Sequence, residues 1–175
     1  MDKEAPARDR VLTKMEYVKL LDACTKSNLP PLLDAVKFAY LTGARQGEQL
    51  RLKLEHVDFE RRVCTFYDTK NGEDRYIPLT RHAQSVLKTL SKVYNYVFPI
   101  TADCLKSAWN RIKTKSGIKD LRFHDLRHES VSRFFEMGLS IPEVALISGH
   151  KDVRQLFRYT HLKAENLREK YKEVF

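Results

Sequence analysis

One segment constrains the fold more than any other. Between residues 62 and 79 the chain abandons helical spacing and turns back on itself. Arg62 to Asp68 and Arg75 to Leu79 read as strands, and they flank Lys70-Asn71-Gly72-Glu73. An Asn-Gly pair suits the left-handed backbone of a tight turn, so the segment predicts an antiparallel hairpin.

Helical signals fill the rest. A capping box at Thr13-Lys14-Met15-Glu16 opens a first helix that carries Tyr17, Leu20, Leu21 and Cys24 on one stripe. Pro30-Pro31 opens a second, with Leu32, Leu33, Val36 and Ala39 pointing one way, and Thr42-Gly43 ends it. Arg45 begins a short third helix through Leu52. After the hairpin, helices are expected over Arg81 to Ser91, Thr101 to Lys115 and His124 to Met137, the last two stopped by Gly117 and Gly138. Another starts at a second capping box, Ser140-Ile141-Pro142-Glu143, and short helices over Val153 to Tyr159 and Lys163 to Val174 complete the chain. The expected fold class is α+β, mostly helical with one small antiparallel sheet. Its 175 residues suit one domain, over residues 12–175, with residues 1–11 as a linker or boundary.

Charge and cysteines bound the function. Thirty-two Lys and Arg against 23 Asp and Glu give +9, which favours a polyanionic partner. The excess is concentrated in residues 105–135, where eight basic residues face three acidic ones. Apolar runs such as Val144-Ala145-Leu146-Ile147 are too short to span a bilayer, so no membrane partner is expected. Met1-Asp2-Lys3-Glu4 lacks the apolar stretch of a secretory signal. Cys24, Cys64 and Cys104 form an odd set without a C-x-x-C pair and read as core thiols in a reducing compartment, which points to the cytoplasm.

Taken singly, the polar candidates are ambiguous. Arg45, after Gly43-Ala44 at a helix start, suits phosphate binding or an ordinary surface turn. Lys70 at a hairpin tip is either a solvated lysine or a mobile ammonium. His124 and Arg127, three apart, can converge on one oxyanion. His124 and His128 also have the spacing of a zinc helix, although Asp125 stands where a glutamate is usual and no third ligand is evident. His150 reads as a loop residue or cap, and Tyr159 as a packing tyrosine.

Their order is more specific than any one of them. Thr42-Gly43-Ala44-Arg45-Gln46-Gly47-Glu48 is followed by Lys70 on the hairpin, then His124-Asp125-Leu126-Arg127-His128, then Ser148-Gly149-His150, then Tyr159-Thr160-His161. From about Leu12 to Leu162 the chain resembles the catalytic domain of the tyrosine recombinases of the phage integrase type. Every expected position is filled: Arg45, Lys70, His124, Arg127, His150 and Tyr159. Lys70 matches only by its place on a hairpin, and Lys53 comes too early to replace it. Leu156-Phe157 stand where relatives often have a threonine. Nothing here matches the separate N-terminal helical domain with which the family clamps the far side of the DNA.

The resemblance implies a site-specific recombinase of mobile DNA that cuts and rejoins strands through a 3′-phosphotyrosyl bond, without metal, ATP or other cofactor. Tyr159 would be the nucleophile. Arg45 and Arg127 would cradle the nonbridging oxygens, His124 would assist as base or hydrogen-bond partner, and His150 would contact the scissile phosphate. Lys70 would protonate the leaving 5′ oxygen. The implied partners are double-stranded DNA and further copies of the chain, as a tetramer on paired sites, with a monomer off DNA as the alternative. Leu167, Tyr171 and Val174 on the last helix could supply the contact between copies, or could pack on their own domain. Competing readings are a type IB topoisomerase and a non-catalytic DNA-binding module.

Overall fold

A computed structural model of the chain describes residues 10, 12–67, 74–90 and 95–160. Seven α-helices are described: α1 (Lys14–Thr25), α2 (Leu32–Thr42), α3 (Gln46–Leu50), α4 (Arg81–Thr89), α5 (Ala102–Ser116), α6 (Asp125–Glu136) and α7 (Ile141–Ser148). A 3-10 turn at Leu54–His56 precedes a small sheet, and a 3-10 helix at Val153–Tyr159 follows α7. The sheet is antiparallel in the order β1 (Val57–Asp58), β2 (Val63–Phe66), β3 (Arg75–Pro78). This is the mostly helical α+β class that the sequence predicts. The expected Lys163–Val174 helix lies outside the described residues.

Both expected capping boxes form. Glu16 Oε2 accepts the Thr13 N–H at 3.0 Å while Thr13 Oγ1 accepts that of Glu16 at 3.2 Å. Ser140 N–H donates to Glu143 Oε2 at 2.7 Å. Such pairs satisfy N–H groups that a helix start otherwise leaves unbonded. Glu16 also receives the Arg10 guanidinium, and this hydrogen bond, before the Thr13 contacts, pulls its carboxyl down to about 2.

The sheet has a strand that the sequence reading missed. Asp58 Oδ1 accepts N–H bonds from Glu60 and Arg61 at 3.0 and 2.8 Å, and Arg62 takes a left-handed φ of 57°. This aspartate-anchored turn carries β1 into β2, pairing Val57 with Cys64. Register then sets Cys64 against Ile77 and Phe66 against Arg75.

Helix α2 is the spine. Leu32, Ala35, Val36, Phe38 and Ala39 are all buried, and the helix packs against α1, α4 and α6. Phe38 meets Phe98 with ring centroids 5.3 Å apart. Removing a buried ring of this kind costs about 3–5 kcal/mol. Cys24 and Cys64 lie in this core as expected, but Cys104 is exposed. It follows Ala102 and Asp103 on the solvent side of the first turn of α5, and Leu105 takes the buried position instead. Among the described residues, no helix is long and apolar enough to cross a membrane.

Candidate active site

The site lies where α2 and α7 end and β3 begins. Thr42 Oγ1 donates to Phe38 O at 2.7 Å and accepts the Ala44 N–H at 3.3 Å, closing α2. Gly43 then adopts a left-handed φ of 64°, and a Cβ there would stand 3.2 Å from Ser130 Cβ. The glycine therefore allows both the turn and the close approach of α6. Ser130 Oγ bonds the Ala39 and Tyr40 carbonyl oxygens at 3.0 and 2.7 Å, fixing α6 to the end of α2.

Arg45 is the N-cap of α3 rather than part of it. Its backbone N–H and its Nη1 donate to the two oxygens of Glu48, at 2.9 and 2.7 Å, and its Nη2 donates to Gly149 O at 2.8 Å. A second arginine enters from the sheet. Strand alternation turns Arg75 and Ile77 inward and Tyr76 and Pro78 outward. Arg75 pairs with Glu48, donates to Ile147 O at 2.5 Å, and has an Nε that is buried with no hydrogen-bond partner among the described residues. Arg127, on the first turn of α6, donates to Gly43 O and Ser148 O, each at 2.6 Å.

Only 4 % of Arg127 and 6 % of Arg75 is exposed, so both charges are held largely out of water. Burial, then the nearby charges of Arg45 and Arg75, presses Arg127 below the ordinary guanidinium range. A guanidinium nevertheless stays charged in a protein. Glu48, which pairs with Arg45 and Arg75, cannot neutralise three guanidiniums. The cluster is thus prepared for an anion.

His150 follows Gly149, the left-handed cap of α7. Its Nδ1 lies 2.6 Å from Ser148 Oγ, and its Nε2 lies 3.5 Å from Arg127 Nη2. Ser148 Oγ also donates to Val144 O at 2.5 Å, which suits an Nδ1–H donating to Ser148 and an Nε2 lone pair turned toward the arginine. Burial, then the charge of Arg127, lowers His150 to about 4. An open cleft of about 350 Å³ is lined by Arg45, Arg75, Tyr76, Gly149, His150 and Lys151.

Tyr159, 8 % exposed, ends the 3-10 helix, which Leu156 anchors in the core. Its hydroxyl meets His128 Nδ1 in a short hydrogen bond, with the rings near parallel at 24°. His124 caps α6 and meets the His128 ring edge-on at 4.9 Å. Burial, then Arg127, lowers His124; burial, then His124, lowers His128 to about 4. The zinc reading of this pair gains no further donor. Among the described residues no group of three or more His, Cys, Asp or Glu is placed to hold a metal ion.

Arg45, Arg127 and His150 therefore come together, and Tyr159 joins them through His128, a neighbour of Arg127 on α6. Lys70 lies outside the described residues; the segment carrying it leads into β3 at Arg75. Sequence reasoning missed Arg75 and the pairing role of Glu48, and weighed His128 only as half of a zinc pair. One signal was available for Arg75: two-residue strand periodicity puts it on the same face as the core residue Ile77.

Residues 10–166 match the phage integrase family. The shufflon-specific DNA recombinase of Escherichia coli is 42 % identical over 167 residues, which cover 94 % of this chain and 43 % of that protein. Tyrosine recombinase XerA of Saccharolobus solfataricus is 30 % identical over 93 % of this chain and 55 % of its own length. The chain thus spans about half the length of these curated relatives. Among solved structures, the catalytic domain of bacteriophage HP1 integrase superposes with a TM-score of 0.77 at 25 % identity, covering 93 % of both chains. The Tn1549 transposon integrase, solved with a circular intermediate DNA, shares the fold with a TM-score of 0.79 at 18 % identity over 99 % of this chain and 68 % of its own. The sequence match, the shared fold and the order of the clustered residues agree, and the chain belongs to the phage integrase family.

Proposed function

We propose that residues 12–175 form the catalytic domain of a site-specific recombinase that cleaves and rejoins double-stranded DNA through a 3′-phosphotyrosyl bond on Tyr159. The observation that carries this reading is the cluster of buried Arg75 and Arg127 with half-buried Arg45, in which one carboxylate, Glu48, pairs with Arg45 and Arg75, and which opens beside His150 and the Tyr159–His128 pair. Attack on a phosphodiester concentrates negative charge on its nonbridging oxygens. Arg45 and Arg127 supply fixed, permanently charged donors for them, already oriented by their bonds to Glu48, Gly43 O and Ser148 O. His150 donates to the same phosphate from Nε2 once that nitrogen carries a proton.

Lys70, which lies between β2 and β3 in the sequence, protonates the leaving 5′ oxygen, and His124 assists as base or hydrogen-bond partner from the N-cap of α6. The phosphotyrosyl ester retains about the energy of the bond it replaces, so a 5′-hydroxyl from the same or a partner duplex can reverse it without ATP. The relatives named above include a recombinase of shufflon DNA and an integrase solved on DNA, which supports DNA as the substrate here. We assign the working form to a tetramer on paired sites and its place to the cytoplasm.

The test is covalent capture. Nicked suicide duplexes of randomised sequence, offered in excess chelator, should yield a protein–DNA adduct with the wild-type chain and none with Tyr159→Phe. Adducts at wild-type level in that variant, or strict dependence on an added metal, would remove the assignment.

A further inference from the structure

The Tyr159 hydroxyl is held by His128, a residue for which the reaction outlined above has no use. We infer that His128 is the proton acceptor for the nucleophile: its Nδ1 aligns the phenol and takes its proton as Oη attacks phosphorus. The inference rests on the recombinase reading and moves the role of base from His124 to His128.

Geometry carries the argument. A phenol near its reference pKa of about 10 is protonated at neutral pH and must lose that proton during attack. A base has to lie within hydrogen-bond reach of it, and Nδ1 of His128 already does. The two elements are fixed against each other: His128 projects from α6, Tyr159 ends a 3-10 helix packed on α6 and α7, and Leu156 is fully buried beneath it. His124, at the very start of α6, meets the edge of the His128 ring at 4.9 Å.

The charges around the imidazole fit the role. It faces His124, Asp125 and Arg127 from its own helix, and Arg158 and Tyr159 from the 3-10 helix. Burial and the cationic neighbours keep it unprotonated at neutral pH, so its lone pair is available to the phenol. A bound phosphodiester adds negative charge beside the ring. That raises the basicity of the imidazole on substrate binding, toward the working pH where proton transfer is most effective.

The step balances. Oη forms its bond to phosphorus as its proton moves to Nδ1, giving an imidazolium. The P–O5′ bond breaks with its electron pair on O5′, which takes a proton from Lys70. On religation His128 returns the proton to the departing phenolate.

Two measurements test this. Without DNA, ¹⁵N spectra of the histidine rings should show the His128 Nδ1 signal shifting between the wild type and Tyr159→Phe; an unchanged signal would overturn the proposal. With suicide duplexes first selected on the wild-type chain, His128→Asn keeps an acceptor oxygen near the position of Nδ1 but cannot take the proton. Adduct formation should slow by about 10²- to 10⁴-fold, the usual worth of a general base, with DNA binding unchanged. The rate of the variant should keep climbing toward the phenol range, near pH 10, where solvent removes the proton. A rate near or above wild type, or a slow variant with the wild-type pH profile, would overturn the proposal. Absence of any wild-type adduct would instead remove the recombinase reading beneath it.

Discussion

Replacing Gly149 by alanine should disable the arginine cluster without altering any of its side chains, and Gly117 provides the control. The two glycines share a backbone conformation, φ 69° at Gly149 and 68° at Gly117, and each caps a helix. An L-residue in this region costs about 1–2 kcal/mol, so both alanine variants should lose about that much. Their surroundings differ. A Cβ on Gly117 meets nothing within 4 Å, whereas one on Gly149 would stand 2.7 Å from Arg75 Cδ and 3.2 Å from Arg45 Nη1. Arg75 cannot simply swing aside, because its guanidinium is tied to Glu48 and to Ile147 O. Breaking one such charged hydrogen bond adds about 1.5–3 kcal/mol. Gly149→Ala should therefore lose about 2.5–5 kcal/mol in all, with Tm falling by about 2–4 °C per kcal/mol in a chain of this size. A catalytic group misplaced by about 1 Å slows a reaction by about a hundredfold, so adduct formation should fall by that order in Gly149→Ala and stay at wild-type level in Gly117→Ala. Thermal unfolding and single-turnover cleavage of both variants measure the two effects. Equal losses of Tm, or equal cleavage rates, would refute the reasoning.

Lys70→Ala should cut ordinary DNA very slowly but regain speed on a duplex with a 5′-bridging phosphorothiolate, because a thiolate leaves without a proton; no recovery would place the proton donor elsewhere. Stability should fall as the solution is acidified from pH 7 to about 4.5, since His128 and His150 sit at about 4 when folded, below the ordinary histidine value near 6.5. In that window the unfolded chain binds more protons than the folded one, so stability rises with pH. Urea midpoints that ignore pH across this range, or a His150→Asn variant with an undiminished slope, would contradict it.

Much of the scaffold was readable because its signals are local. Thr13 and Ser140 each announce a helix start three residues before their glutamate, and Gly43 and Gly117 supply the left-handed caps. Helix limits shifted mainly at their caps, as where Arg45 and His124 precede α3 and α6 instead of opening them. The β1–β2 turn escaped because Asp58 builds it through its side chain, without the Asn-Gly pair that marks the other hairpin. The arginines and histidines of the site were legible as an ordered set, but their bonds were not. Arg75 meets Ile147 across 72 residues and Glu48 across 27, and His128 meets Tyr159 across 31. No local periodicity encodes contacts at such separations; only the packing of β3, α6 and α7 creates them.

The attachment of Arg127 to the last carbonyls of two separate helices has a further consequence. Gly43 O closes α2 and Ser148 O lies at the end of α7, more than a hundred residues later, yet one guanidinium holds both. Unwinding of either end strands a buried cation, so neither can fray alone at the small cost usual for a helix terminus. The two turns should therefore open as a single unit, with the backbone amides there exchanging with solvent together. The same bonds fix the arginine rotamer before any anion arrives, so the side-chain entropy of about 2 kcal/mol that a free arginine would forfeit on binding is already lost during folding.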